Sequence, residues 1–137
     1  MSWAVNRLGA ERMKYAYAYK ILLQQNGWLA NGSDFPVEDT SPLLGFYAAV
    51  ARKNPAGQPA GGFQMENALT REEALRAMTI WAARAAFEES NRGSLEPGKW
   101  ADFVVLDTDL MKAPLEKIPE ALVFSTWIGG VPVYQRK

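Results

Sequence analysis

Asp34 stands in the stretch Gly32-Ser33-Asp34-Phe35-Pro36-Val37, directly after the short apolar run Trp28-Leu29-Ala30-Asn31. If that run is a strand, the carboxylate sits at its C-terminal end, where parallel α/β folds place catalytic groups. The same Gly-Ser-Asp sequence is equally a good turn, because Asp bonds its own backbone and tolerates left-handed geometry. The 137-residue chain contains no histidine and no cysteine. A zinc site built on imidazole or thiolate therefore has no such ligands here. Glu38 and Asp39 are the nearest carboxylates and could meet a metal only through water-filled coordination. Asp34 is the one candidate catalytic residue, and no metal-binding or cofactor-binding residue is assigned.

Composition bounds the rest. The length allows at most one ordinary domain. With 48% hydrophobic and 12% aromatic residues, the chain can bury a core, so disorder is excluded as a reading of the whole. Fifteen basic and fifteen acidic residues cancel, and no basic block would hold a phosphate backbone. Nucleic acid is thus not an expected partner. No apolar run approaches the roughly 18 residues of a membrane span, so no membrane is expected either. The start lacks the basic and apolar regions of a secretory signal. Absence of cysteine fits a reducing compartment, and the expected location is cytoplasmic.

The elements that must position Asp34 follow from pattern. Leu8, Ala16, Tyr19 and Leu23 share one face of a helix expected from Leu8 to Gln25, stopped by Asn26-Gly27. Trp28 to Asn31 reads as a very short strand. Ser41 as N-cap and Pro42 at the first position open a second helix, with Arg52 and Lys53 in its last turn. Asn54 to Gly62 is a Pro/Gly-rich loop. Thr70-Arg71-Glu72-Glu73 is a capping box, opening a third helix that ends near Glu89. Arg71, Glu72, Glu73 and Arg76 read as an exposed face with i,i+4 pairing, and Met78, Trp81 and Trp127 as core. Ala101 to Asp107 is a continuous apolar run, expected to be a buried strand. Leu122 to Ile128 and Val131 to Tyr134 are two strands joined by a Gly129-Gly130 turn. Pro132 lacks an N–H, so the last is expected to be an edge or to pair through its other side.

Taken in order, these motifs resemble the C-terminal quarter of metal-dependent amidohydrolases, in the amidohydrolase family 3 branch with N-substituted formamide deformylase-like enzymes. Leu8-Gly9-Ala10-Glu11-Arg12 is similar to the helix before the last barrel strand. Gly32 to Val37 is similar to that strand's end and its Asp. Thr70 to Leu75 resembles the capped helix after the barrel. Gly93-Ser94-Leu95-Glu96-Pro97-Gly98-Lys99-Trp100-Ala101-Asp102 carries the most specific part of the likeness.

The resemblance implies a TIM barrel with a small β-sandwich built from both chain ends. It implies hydrolysis of a non-peptide C–N bond, with zinc activating water in the full-length family and the last-strand Asp moving its proton. By position that Asp is Asp34. The family's histidines lie upstream of this region. The chain by itself is therefore expected to be an α+β fold: residues 1–54 as a last helix, strand and helix of a barrel, 55–69 as loop, and 70–137 as capped helix and sandwich strands. Alone it is expected to be inactive and to need no cofactor. Incomplete sheet edges imply a partner, either a second copy or an N-terminal amidohydrolase piece. The alternative is a self-associating α+β structure without catalysis.

Overall fold

Pro42 presets the backbone for a helix start, and α3 (Pro42–Ala51) begins at that residue. It is almost wholly apolar and buries Leu43, Phe46, Tyr47, Ala49 and Ala51. Such a helix must lie at the centre, and in the computed structural model, which describes residues 2–137, it does. Packed around it are Leu23 of α2 (Tyr19–Asn26), Leu69, Ala74 of α4 (Arg71–Met78), Leu110 and Ile118. Ile118 belongs to a 3₁₀ segment, Leu115–Glu120. A second 3₁₀ turn, Met65–Asn67, precedes α4.

The region expected to be one helix from Leu8 to Gln25 is two. α1 (Ser2–Met13) bends at Gly9, whose φ of 72° and ψ of 166° are not helical. It stops at Met13, and α2 starts only at Tyr19. Between them Tyr17 takes a φ of 58°, and its carbonyl accepts from the Tyr19 N–H at 2.9 Å and from Arg52 Nη2. A tight local turn and a tertiary bond thus stand where a helix would continue. The third helix is likewise divided. Thr79, at φ −124° and ψ −98°, separates α4 from α5 (Ile80–Ala85).

The capping box at the head of α4 is present in both directions. Thr70 Oγ1 accepts from the Glu73 N–H, and Glu73 Oε2 accepts from the Thr70 N–H. Arg71 departs from its expected exposed role. Its guanidinium donates to the carbonyls of Leu110 and Ala113, fastening the segment after the first strand onto α4. Arg76 and Glu72 do pair at i,i+4, 2.9 Å apart.

Three antiparallel strands complete the α+β fold: β1 (Phe103–Leu106), β2 (Val123–Ile128) and β3 (Val131–Gln135), in the order β1-β2-β3. Phe103 is paired with Trp127 and Val104 with Thr126. Pro132 is paired with Trp127 on the outer strand, beside a register shift. Gly129 and Gly130, at φ 57° and 78°, make the tight turn between β2 and β3. Two carboxylates close the ends of β1: Asp102 Oδ1 accepts from the Gly129 N–H, and Asp107 Oδ1 from the Leu122 N–H. β1 is not the buried strand expected, since Val104 is 52% exposed and Val105 40%. These two neighbours point to opposite faces of the sheet, so the middle of β1 is open on both. Trp127 is half-buried and stacks on Phe103 at 5.4 Å, and Trp81 is half-buried against the core.

Candidate functional site

The segment before Asp34 does not form the expected strand. Residues 28–34 are irregular, and among the described residues no strand pairs with them. Two contacts hold the segment instead. The Asn31 N–H donates to the Ala77 carbonyl of α4 at 2.9 Å, and Arg84 of α5 lies 4.8 Å from the centre of the Trp28 ring. Trp28 and Asn31 therefore lean on the two halves of the divided helix.

Asp34 follows at φ 59°. Left-handed backbone is uncommon outside glycine, and Asp is among the residues enriched there. The turn is closed by the Val37 N–H donating to the Asp34 carbonyl at 2.9 Å. Ser33 Oγ accepts from the Phe35 N–H at 3.3 Å. Asp39 then accepts from the Ser41 N–H at 2.8 Å and leads the chain into α3. Backbone bonds thus fix the turn, while Asp34 stays exposed, as do Phe35 and Val37. No neighbouring acid, base or cation among the described residues bonds to the Asp34 carboxylate.

Asp39 is committed to the Ser41 N–H, and Glu38 is exposed. Among the described residues no three His, Cys, Asp or Glu converge as a metal site requires. These residues do not fit a catalytic zinc, which takes three protein ligands and keeps one position open. The broad open cleft of the molecule lies elsewhere. It runs between α4–α5 and the sheet, past Trp81, Trp100, Phe103 and Trp127, and Asp34 does not line it.

Sequence reasoning missed the buried cation of this region. Arg52 was expected in the last turn of its helix, complementing the macrodipole; it is 2% exposed and ends α3 in left-handed geometry, φ 54°. Its Nε donates to the Phe63 carbonyl at 2.9 Å and its Nη2 to the Tyr17 carbonyl at 3.2 Å. The guanidinium lies 5.2 Å from the Tyr19 ring centre and 5.9 Å from that of Phe63. Burial lowers its pKa, with Tyr19 and Glu66 acting the other way. The signal in the sequence was the clustering of aromatics at Tyr17, Tyr19 and Phe63, which a planar cation can stack on.

Lys20 and Glu73 were also unforeseen as a pair. Burial pushes the Glu73 carboxyl up, but bonds from Lys20 and Thr70 outweigh it and leave the pKa lowered. No described helix is long and apolar enough to cross a membrane.

Comparison with known proteins bears out the family resemblance. A family model described as the amidohydrolase family matches residues 1–134. The chain is 34% identical to the YtcJ protein of Bacillus subtilis over 98% of its own length and 25% of that protein's. It is 42% identical to the protein LONG AFTER FAR-RED 3 of Arabidopsis thaliana, over 93% of this chain and 22% of the relative. It is 38% identical to the N-substituted formamide deformylase of Arthrobacter pascens, over 76% and 19%. The chain thus spans a quarter or less of the length of these three relatives.

Proposed function

This chain belongs to the amidohydrolase family, and on that premise we propose that it forms the last strand-and-helix unit of a hydrolytic barrel together with part of its β-sandwich. One observation carries the reading: a family match along 1–134 that includes an Asp in a left-handed turn ahead of a Pro-started helix. Asp34 is the proposed proton-transfer carboxylate. An eight-fold barrel needs ~250 residues, so the remaining strands, and any metal ligands, must come from other residues. Residues 28–31 would then become a strand by pairing with a neighbour they lack here. On this reading 1–54 is barrel, 55–69 connection, and 70–137 capped helix and sandwich.

The reaction class is hydrolysis of a non-peptide C–N bond. Likeness to the N-substituted formamide deformylase favours a formamide substrate. No chemical step is assigned to zinc, because this chain's residues do not hold it.

The experiment supplies the missing part. The purified chain is mixed with a polypeptide comprising the upstream three-quarters of the formamide deformylase relative, with zinc present. N-substituted formamide hydrolysis is then measured. The expected result is activity that appears on mixing and is abolished by Asp34→Asn. A complex that forms without activity would overturn the catalytic reading. A second reading, a self-associating structure without catalysis, is favoured by exposed Val104, Phe124, Ile128 and Val131 on the open sheet. On either reading the proposed partner is protein: a second copy or the upstream amidohydrolase piece.

A further inference from the structure

We propose that Asn31-Gly32 is a site of spontaneous deamidation in the folded chain, and that the chain's other Asn-Gly pair, Asn26-Gly27, is protected. The inference is independent of any catalytic role. It rests on how the two glycine N–H groups are engaged. In an Asn-Gly pair the glycine nitrogen is the nucleophile, and glycine favours the reaction because no side chain hinders the approach. The nitrogen loses its proton and attacks Cγ of the preceding Asn. A C–N bond closes a five-membered succinimide, and the side-chain amide nitrogen leaves with that proton as ammonia. Water then opens the ring at either carbonyl, giving Asp or isoaspartate. The balance is one amide and one water giving one acid and one ammonia, with no oxidant or reductant.

Both pairs have the same chemistry and differ in fold. Gly27 is the C-cap of α2, at φ 76°, and its N–H donates to the Leu23 carbonyl at 2.7 Å. Asn26 Nδ2 is bonded too, to the Trp28 carbonyl at 3.0 Å. Attack there requires the helix end to open first. Asn31 lies in irregular chain. Its own N–H holds Ala77, but Gly32's N–H meets no acceptor among the described residues, and neither does the Asn31 side-chain amide. Gly32 is exposed, so water reaches the ring once formed. The product would place a second carboxylate three residues before Asp34. In the isoaspartate form it would also lengthen the backbone by one methylene, displacing the Asp34 turn.

The glycine provides a clean variant. A Cβ on Gly32 meets nothing within 4 Å, and its φ is not in the left-handed region, so Gly32→Ala fits the fold. The test incubates the native chain at neutral to mildly alkaline pH and follows Asn26 and Asn31 by peptide mass spectrometry. The expected result is a gain of one mass unit, with isoaspartate, accumulating at Asn31 several-fold faster than at Asn26. The two rates should converge in denaturant. Gly32→Ala should slow conversion at Asn31 while leaving far-UV circular dichroism unchanged. Equal native rates, faster conversion at Asn26, or an unaltered rate in Gly32→Ala would overturn the proposal.

Discussion

Lys20 Nζ lies 2.5 Å from Glu73 Oε1 and 2.6 Å from Oε2, joining α2 to α4 across 53 positions of sequence. The same carboxylate accepts from the Thr70 N–H. One side chain therefore caps a helix and holds it against its neighbour. Because the Glu73 pKa is lowered in the folded chain, the unfolded state binds a proton first as pH falls. Its contribution is present above the ordinary glutamate value of about 4.3 and is lost as pH drops through the lower folded value. Glu73→Gln is expected to cost about 1–2 kcal/mol near neutrality. Its penalty should shrink below about pH 4. Urea melts of both proteins across that range, at one protein concentration, provide the check; a penalty independent of pH contradicts the ionic account.

Arg52 carries a different prediction. Its guanidinium gives hydrogens to two carbonyls, those of Tyr17 and Phe63, and no carboxylate among the described residues bonds to it. Arg52→Met leaves both acceptors without that donor, a loss of about 2–3 kcal/mol. A lysine cannot make the planar fork or stack as the guanidinium does. Arg52→Lys is thus expected to recover less than half of the loss in urea midpoint. Full recovery would show that charge alone suffices there.

How these groups became visible differs. The capping box at Thr70 and Glu73, the Pro42 start and the Gly129-Gly130 turn are local, each set by residues a few positions apart, and all three were legible in sequence. So was Pro132 on the edge strand. The divided helices were not. Tyr17 leaves helical geometry where its carbonyl is taken by Arg52, 35 residues away, and no local periodicity records that competition. Residues 28–31 have strand-like composition but no partner, and a strand is defined by its partner. Exposure of β1 is the same effect seen from the sheet: an apolar run reports suitability for burial, not what is available to bury it. For the candidate site, residue identity and the family likeness singled out Asp34, whereas its left-handed backbone and exposed carboxylate came only from the structure.

Gly93 offers a steric test. It sits at φ 93°, and a Cβ there would stand 2.8 Å from both the Ile80 Cα and the Ala83 Cβ. The backbone of α5 cannot yield as a flexible side chain would. Gly93→Ala combines that overlap with left-handed strain and is expected to destabilise by about 2–4 kcal/mol. Gly98→Ala, at φ 92° with nothing within 4 Å, carries strain alone and should cost less. Thermal melts of the two variants give the comparison; equal losses would mean that close packing at Gly93 contributes nothing.

The proposed partner predicts an edge. β1 and β3 are the two outer strands of the sheet. β3 carries Pro132 and a register shift, and Arg136 and Lys137 follow it, all of which discourage pairing. β1 has the apolar sequence Phe103-Val104-Val105-Leu106 with no charge or proline within it. If the partner is a second copy, β1 is the edge expected to pair. Light scattering at micromolar concentration should then give a mass above that of one 15.2 kDa chain. Val104 and Val105 are half-exposed, so lysine at either position adds charge to the edge without emptying the core. Val104→Lys and Val105→Lys should shift the mass toward the monomer while retaining the circular dichroism of the parent. A parent that is already monomeric removes the self-association proposal, and lysine variants that stay associated move the contact away from β1.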